Sequence, residues 1–204
     1  SLGEDIFKPK VSFIVDIGGG TTDIAAIALG SILAEESIKV GSNDIDLAII
    51  QYIKKEYNVE IGELTAEHLK IQLANVIIEK EQFMEIIGQD LASGLPINLN
   101  MSNQEIYEAI RIPIEKICSS IKSVIESCPA ESVADILSNG IMLTGGGAQL
   151  RNLDKLLYQE LGIQASIVPS PEYSTINGLG KLLDHIDTIH NMVIEYSPYI
   201  SRKD

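Results

Sequence analysis

The sequence predicts an α/β protein with a layered core. Three observations carry that prediction. Residues 11–17 (VSFIVDI) form a continuous apolar run that stops at a glycine triplet; the last third alternates helical and strand patterns; and a glycine closes each of the first two helices of that third. Buried strands read as unbroken apolar runs because both faces are covered. Elements that alternate in this way pack as helices against a sheet.

In chain order, residues 23–29 (DIAAIAL) and 32–40 (ILAEESIKV) read as two further strands, with Gly30-Ser31 as a tight-turn pair between them. The opening segment is then an antiparallel meander rather than a strand–helix–strand unit. Asn43 offers a helix N-cap, and Ile45, Ala48, Ile49 and Ile53 carry an apolar stripe as far as Tyr57-Asn58. A second helix is expected to start near Thr65, whose hydroxyl can accept from the orphan amides of the first turn. Residues 82–88 (QFMEIIG) and 96–101 (PINLNM) read as a strand pair around a break at Ala92-Ser93-Gly94. Ser102 and Glu105 form a capping box, which opens a helix of about seven turns striped by Ile106, Ile110, Ile114, Ile117, Ile121 and Val124. Pro129 ends it, and Pro113 inside it predicts a kink or a break into two helices. A helix at 131–138 closed by Gly140, a strand at 141–144, a second glycine triplet, a helix at 150–161 closed by Gly162, a strand at 163–168 and a helix at 174–192 follow. The tail from Glu195 reads as mobile.

Composition removes several classes of function. The chain has 204 residues, enough for one large domain or two small ones, and its 45% hydrophobic and 22% charged content is that of a globular protein. Fifteen Lys and Arg against twenty-nine Asp and Glu leave a formal charge of −14, and the basic residues never cluster, which argues against nucleic acid as a partner. No run approaches the ~18–20 apolar residues that a transmembrane helix needs. The first ten residues lack a signal peptide's apolar stretch, an amphipathic anchor's basic face and an initiating Met, so the expectation is an excised piece or a chain whose true start was removed. Cys118 and Cys128 fall on one predicted helix, roughly 15 Å apart, too far to bridge; they read as free thiols in a cytosolic chain. His68, His185 and His190 show no metal spacing.

Chemistry concentrates in two stretches, Asp16-Ile17-Gly18-Gly19-Gly20-Thr21-Thr22-Asp23 and Leu143-Thr144-Gly145-Gly146-Gly147-Ala148. Glycine triplets expose backbone amides and let an anion approach without a Cβ in the way. One such triplet alone is as easily an ordinary turn. The first lies between two strands, so its amides form a hairpin nest; Asp16 at the strand end can hold a hydrated cation, and Thr21 and Thr22 add hydroxyls. Phosphate with Mg²⁺ suits that mixture. The second triplet joins a strand to a helix, yet TGGGAQL lacks G-x-G-x-x-G and no acidic residue closes a following strand, so a dinucleotide reading fails.

DIGGGTTDIA, a helix opening TAEHLK, SGLP, and ILSNGIMLTGGGAQLRNLDKLL, in that order, resemble the C-terminal half of the MreB family of bacterial actins, from about Asp5 to Leu183. The resemblance implies the C-terminal half of an actin-like ATPase (ribonuclease H-like) fold: a mixed sheet flanked by helices, plus a smaller α+β lobe. Residues 1–40 and 128–204 would form the inner lobe and residues 41–127 the outer one. By motif, Gly18, Gly19, Gly20 and Thr21 would wrap the β- and γ-phosphates, Thr21 or Thr22 would help place the attacking water, and Asp16 would stand near Mg²⁺. Glu67 and Lys70 match the family's E-x-x-K pair at ribose and purine; without the resemblance an exposed salt-bridge pair is the better reading. Gly145, Gly146, Gly147 and Ala148 match the adenosine motif. The implied ligands are ATP or ADP with Mg²⁺. The implied partners are further copies in a head-to-tail filament, the N-terminal half of the same protein, and cell-wall or cytoskeletal membrane proteins. The location would be the cytoplasm beneath the inner membrane, with no direct lipid contact from this half.

Three departures qualify the resemblance. The family's N-terminal half, with its other phosphate loop and water-activating glutamate, is not in this chain, so the chain alone should not hydrolyse ATP efficiently. Lys39-Val40-Gly41-Ser42-Asn43 stands where the family shows Arg-Val-Ala/Gly-Gly-Asp, and Ile176 replaces a small residue ahead of Gly178 and Gly180. The alternatives are a non-polymerising ATPase or phosphotransferase of the same superfamily, and a filament protein that has lost hydrolysis.

Overall fold

The computed structural model describes residues 10–184, so His185, His190, the end of the predicted helix 174–192 and the tail from Glu195 lie outside the described residues. Strands β1 (Ser12–Ile17), β2 (Thr22–Ala28) and β3 (Ser31–Ile38) form the expected antiparallel meander. Its β2–β3 turn is centred on Leu29-Gly30 rather than Gly30-Ser31: both have positive φ (52° and 75°), and Ala28 pairs with Ser31. Two consecutive positive-φ residues make the turn whose twist matches the strands it joins.

Helix α1 (Ser42–Tyr57) starts one residue before the expected cap. Gly41 is the N-cap, its amide donating to Asp44 at 2.8 Å, and Asn43 lies inside the helix. A strand too short to read from sequence, β4 (Val59–Glu60), follows, and α2 (Glu63–Leu73) is capped by Gly62, so Thr65 sits in its first turn rather than ahead of it. Strands β5 (Phe83–Asp90) and β6 (Pro96–Ser102) pair antiparallel, and β4 joins them as a three-stranded sheet. Helix α3 (Asn103–Ser127) opens on the predicted capping box: Ser102 Oγ accepts from the Glu105 amide, and Glu105 accepts from the Ser102 amide at 2.8 Å. It runs unbroken through Pro113, so neither of two separate helices forms. Burial of the Ile106, Ile110, Ile114, Ile117, Ile121 and Val124 stripe holds the helix together across the missing backbone bond.

The chain then gives α4 (Ala130–Asn139), β7 (Ile141–Thr144), a 3₁₀ turn at Gly146–Gln149, α5 (Leu153–Leu161), β8 (Ala165–Ile167) and α6 (Ser174–Asp184). The predicted helix 150–161 is therefore shorter, because Leu150 closes the 3₁₀ turn and Asn152 takes a left-handed conformation. Strand β7 pairs parallel to β1 and β8 parallel to β7, giving a five-stranded mixed sheet in the order β3-β2-β1-β7-β8. Helix α3 packs on β2 and β3, α1 on α3 and α2, and α5 on β8. One buried cluster runs through Phe13, Val15 and Ile17, through Ile45, Ile49 and Ile53 of α1, through the isoleucine stripe of α3, and through Leu153 and Leu157 of α5. Cys118 and Cys128 are both free thiols.

Candidate functional site

The sheet places the two glycine turns side by side. Strands β1 and β7 are parallel neighbours, with Asp16 level with Thr144, so both turns leave from their carboxyl ends. Ligand crevices of open α/β sheets form at such ends. The turns touch there: a Cβ on Gly145 would lie 2.3 Å from the Ile17 carbonyl oxygen and 2.5 Å from Asp16 Oδ1, and one on Gly147 would lie 2.4 Å from Ile17 Cγ2.

The first turn hangs from the start of α1. The amides of Ser42 and Asn43 donate to the carbonyls of Gly18 and Gly19 at 2.9 and 2.8 Å, which occupies two of the helix's orphan donors. The Gly18 amide closes the hairpin onto the Thr21 carbonyl at 2.9 Å, so the donors left for an anion are the amides of Gly19, Gly20 and Thr21, all exposed residues. Thr21 Oγ1 donates to Asp23 at 3.0 Å and keeps lone pairs for a water. Thr22 is different. It is fully buried and its hydroxyl donates to the Val40 carbonyl at 2.8 Å, so it cannot place a water. Asp16 is half-buried at the end of β1, and Thr175 Oγ1 of α6 donates to its Oδ2 at 3.2 Å. No group of three potential metal ligands occurs among the described residues.

The second turn faces α2. A cavity of about 420 Å³ is lined by Glu67, Lys70, Gly146, Gly147, Gln149 and Arg151, among others, so the structure brings the E-x-x-K pair and the second glycine turn together. Glu67 is exposed. Lys70 is nearly buried and its ammonium is spent: it donates to Asp46 at 2.7 Å and to Ser42 Oγ and the Ser42 carbonyl at 2.8 and 3.3 Å. Burial pushes the Asp46 carboxyl above its usual range, against the pull of Lys70, and Asp46 Oδ1 has no hydrogen-bond partner. Of the four adenosine-motif residues only Gly146 is exposed; Gly145, Gly147 and the fully buried Ala148 pack inward. Arg151, three residues past the motif, lines the same cavity; inside the predicted helix 150–161 a lone basic residue carries no signal of such a place. Ile176 is exposed on α6.

A five-stranded mixed sheet with this order, a small second sheet and paired glycine turns is an actin-like fold, and solved relatives share it. The chain superposes on MreB5 of Spiroplasma citri bound to ADP with a TM-score of 0.87 and 36% identity, covering 96% of this chain and 59% of that one. The same protein bound to AMPPNP gives the same TM-score and identity over 93% and 58%. The MamK double helical filament, at 23% identity and a TM-score of 0.63, shares the fold alone. The family model described as MreB/Mbl protein matches residues 2–191, and this chain belongs to the MreB/Mbl family. Cell shape-determining protein Mbl of Bacillus subtilis is 41% identical over 92% of this chain and 56% of its own length; cell shape-determining protein MreB of Escherichia coli is 40% identical over 91% and 54%. The chain thus spans about half the length of the curated relatives it matches. No helix among the described residues is long and apolar enough to cross a membrane.

Proposed function

We propose that the chain is the C-terminal half of an actin-like protein that closes on ATP·Mg²⁺ between two halves and polymerises head to tail into filaments that organise cell shape in the cytoplasm. Residues 1–40 and 128–204 make its inner lobe and residues 41–127 its outer lobe. One observation carries the reading: the glycine turns converge at the ends of neighbouring parallel strands, one with open amides and the other bordering a nucleoside-sized cavity. The MreB5 structures, bound to ADP and to AMPPNP, agree with it.

In that site the amides of Gly19, Gly20 and Thr21 hold the β- and γ-phosphates, and Asp16 would be the carboxylate for Mg²⁺. Mg²⁺ would neutralise charge on the transferred phosphoryl group. Thr21, its proton committed to Asp23, accepts from the attacking water, while Glu67 and the backbone at Gly146 and Gly147 border the nucleoside. Positioning from this side alone leaves the opposite face of the phosphates to solvent, so the chain by itself has little hydrolytic activity and binds nucleotide weakly. Partners beyond further copies and the N-terminal half are cell-wall or cytoskeletal membrane proteins. Electron microscopy of the intact protein with ATP and Mg²⁺ tests the reading: filaments support it, and discrete particles under all nucleotide conditions replace it with a non-polymerising ATPase of the same fold.

A further inference from the structure

Two cations line the cavity between α2 and the second glycine turn, and they differ in what their donors already hold. An ammonium has three N–H groups. Those of Lys70 have three acceptors within reach, Asp46 and the two oxygens of Ser42, and the pair with Asp46 is nearly buried. Lys70 therefore braces α2 against the start of α1 and has no donor left for a ligand.

Arg151 carries five donors on a planar fork. One of them, on Nη2, reaches the Ile71 carbonyl at 3.2 Å, and among the described residues no carboxylate lies within salt-bridge distance of the guanidinium. The residue is exposed and lines the same cavity as Glu67, Gly146 and Gly147. Its root is fixed. The Arg151 carbonyl accepts from the Val76 amide at 3.2 Å, Asn75 pairs with Arg151 as an isolated parallel bridge, and the neighbouring Asn152 donates to Asn75 Oδ1 at 2.8 Å. A guanidinium tethered at one end over an open cavity presents a flat cationic face, which suits a planar heteroaromatic ring and which an ammonium lacks. The anion-binding amides lie in the other turn, so charge neutralisation of the phosphates does not call on it.

We infer that Arg151 is the base-contacting cation of this site, its guanidinium stacking on the purine of the bound nucleotide, while Lys70 is a positioning residue that does not touch the ligand. The inference rests on the nucleotide reading above. It assigns to Arg151 the purine contact that the E-x-x-K motif assigns to Lys70.

Isothermal titration of the intact protein with ATP and with CTP, both with Mg²⁺, tests it. Arg151→Met is expected to lower ATP affinity about tenfold and CTP affinity by less than about threefold, collapsing the preference for the larger ring. Arg151→Lys, which keeps the charge without the plane, is expected to behave like Arg151→Met and serves if the methionine variant does not fold. Lys155→Met, which removes an exposed cation of α5 that pairs with Glu79 and does not line the cavity, leaves the ATP-to-CTP ratio at its wild-type value. Equal losses for both nucleotides in Arg151→Met, or a wild-type preference in Arg151→Lys, overturn the stacking role. Wild-type protein that binds ATP while Arg151→Met binds it equally well removes this inference alone; wild-type protein that binds neither nucleotide removes the site with it.

Discussion

The two glycine turns share a three-letter string and use it for opposite purposes. In the turn at 145–147, Gly145 has φ +82° and ψ 161°, a region that L residues essentially never occupy, and a Cβ there would sit inside backbone contact distance of Ile17. Gly147 is blocked by the Ile17 side chain. Only Gly146 is open. In the turn at 18–20 nothing crowds any of the three: a Cβ would meet its nearest neighbour at 3.4 Å on Gly18 and at 3.5 Å on Gly19, and would meet nothing within 4 Å on Gly20. The steric demand has moved to Gly41, whose Cβ would lie 2.5 Å from the Gly19 carbonyl oxygen. The second turn therefore needs two of its three glycines, Gly145 and Gly147, in order to fold, whereas the first keeps glycines that folding does not require. A residue kept small without a packing reason points to something that approaches from outside.

The largest effect that tests this contrast is Gly145→Ala. Forbidden backbone and overlap with a main-chain oxygen together should cost about 3 kcal/mol or more, lowering Tm by roughly 10 °C in a chain of this size. A thermal melt within about 2 °C of wild type would place the turn's strain elsewhere. Next comes Gly147→Ala, at about 1–3 kcal/mol, whose obstacle is a side chain and so can be removed. In an Ile17→Ala background the added methyl fills space instead of overlapping. Urea denaturation of the four proteins of that double-mutant cycle should give a favourable coupling of about 1 kcal/mol. Additive losses would mean that the Ile17 side chain is not the obstacle.

How much of this the sequence disclosed depends on where the information sits. The meander, the strand pair at 83–102 and the long helix were legible because apolar alternation, a capping box and turn residues all pointed one way. The starts of α1 and α2 were misplaced for one reason: both helices begin on a glycine cap, which has no side chain to read. Asn43 looked like a cap, but the helix begins before it, and the first amides, those of Ser42 and Asn43, donate to the Gly18 and Gly19 carbonyls, contacts between segments far apart in the chain. The site divides in the same way. Glycine triplets announce open backbone, so the turns were found. Thr22 and Lys70 have the right chemistry at the right spacing, yet burial and the neighbours Val40, Asp46 and Ser42 have already claimed their donors. Only three-dimensional packing sets which polar groups are spent.

A smaller effect asks whether the first turn is held from the start of α1 alone. At the other end of that helix Tyr57 donates its phenol proton to Glu105, the capping-box partner of Ser102 at the start of α3. That hydrogen bond, with burial and nearby acids adding to it, pushes the Tyr57 phenol up to about 12. Burial opposes ionisation of Glu105, but the bonds from Tyr57 and Ser102 outweigh it and hold its carboxyl below the usual range. A raised folded-state value means that the stability from Tyr57 is complete below pH 10 and fades as pH climbs towards 12; the lowered value for Glu105 means that its share is complete above about pH 4.5 and fades in acid. Tyr57→Phe should cost about 0.5 kcal/mol near neutrality, solvent screening having discounted the bond. Denaturation midpoints of the two proteins should converge as pH rises from 9 to 12. A gap that holds constant over that range would separate the effect from the phenol proton.

The smallest effect on stability is the one that decides the comparison. Gly20→Ala places a methyl where nothing lies within 4 Å, and Gly20 has no positive φ to forbid it. Its unfolding free energy should move by less than about 0.5 kcal/mol, with reduced chain entropy in the unfolded state favouring the variant if anything. Nucleotide binding should move much more, because a Cβ beside the Gly20 amide stands where a phosphate oxygen must come within hydrogen-bond distance. In the intact protein the variant should therefore melt like wild type without ATP and lose most of the Tm increase that ATP confers on wild type, since ligand stabilisation follows affinity. A variant that melts normally and keeps the full ATP shift would show that the open glycines of the first turn face no ligand, and would remove the contrast between the two turns at its functional end.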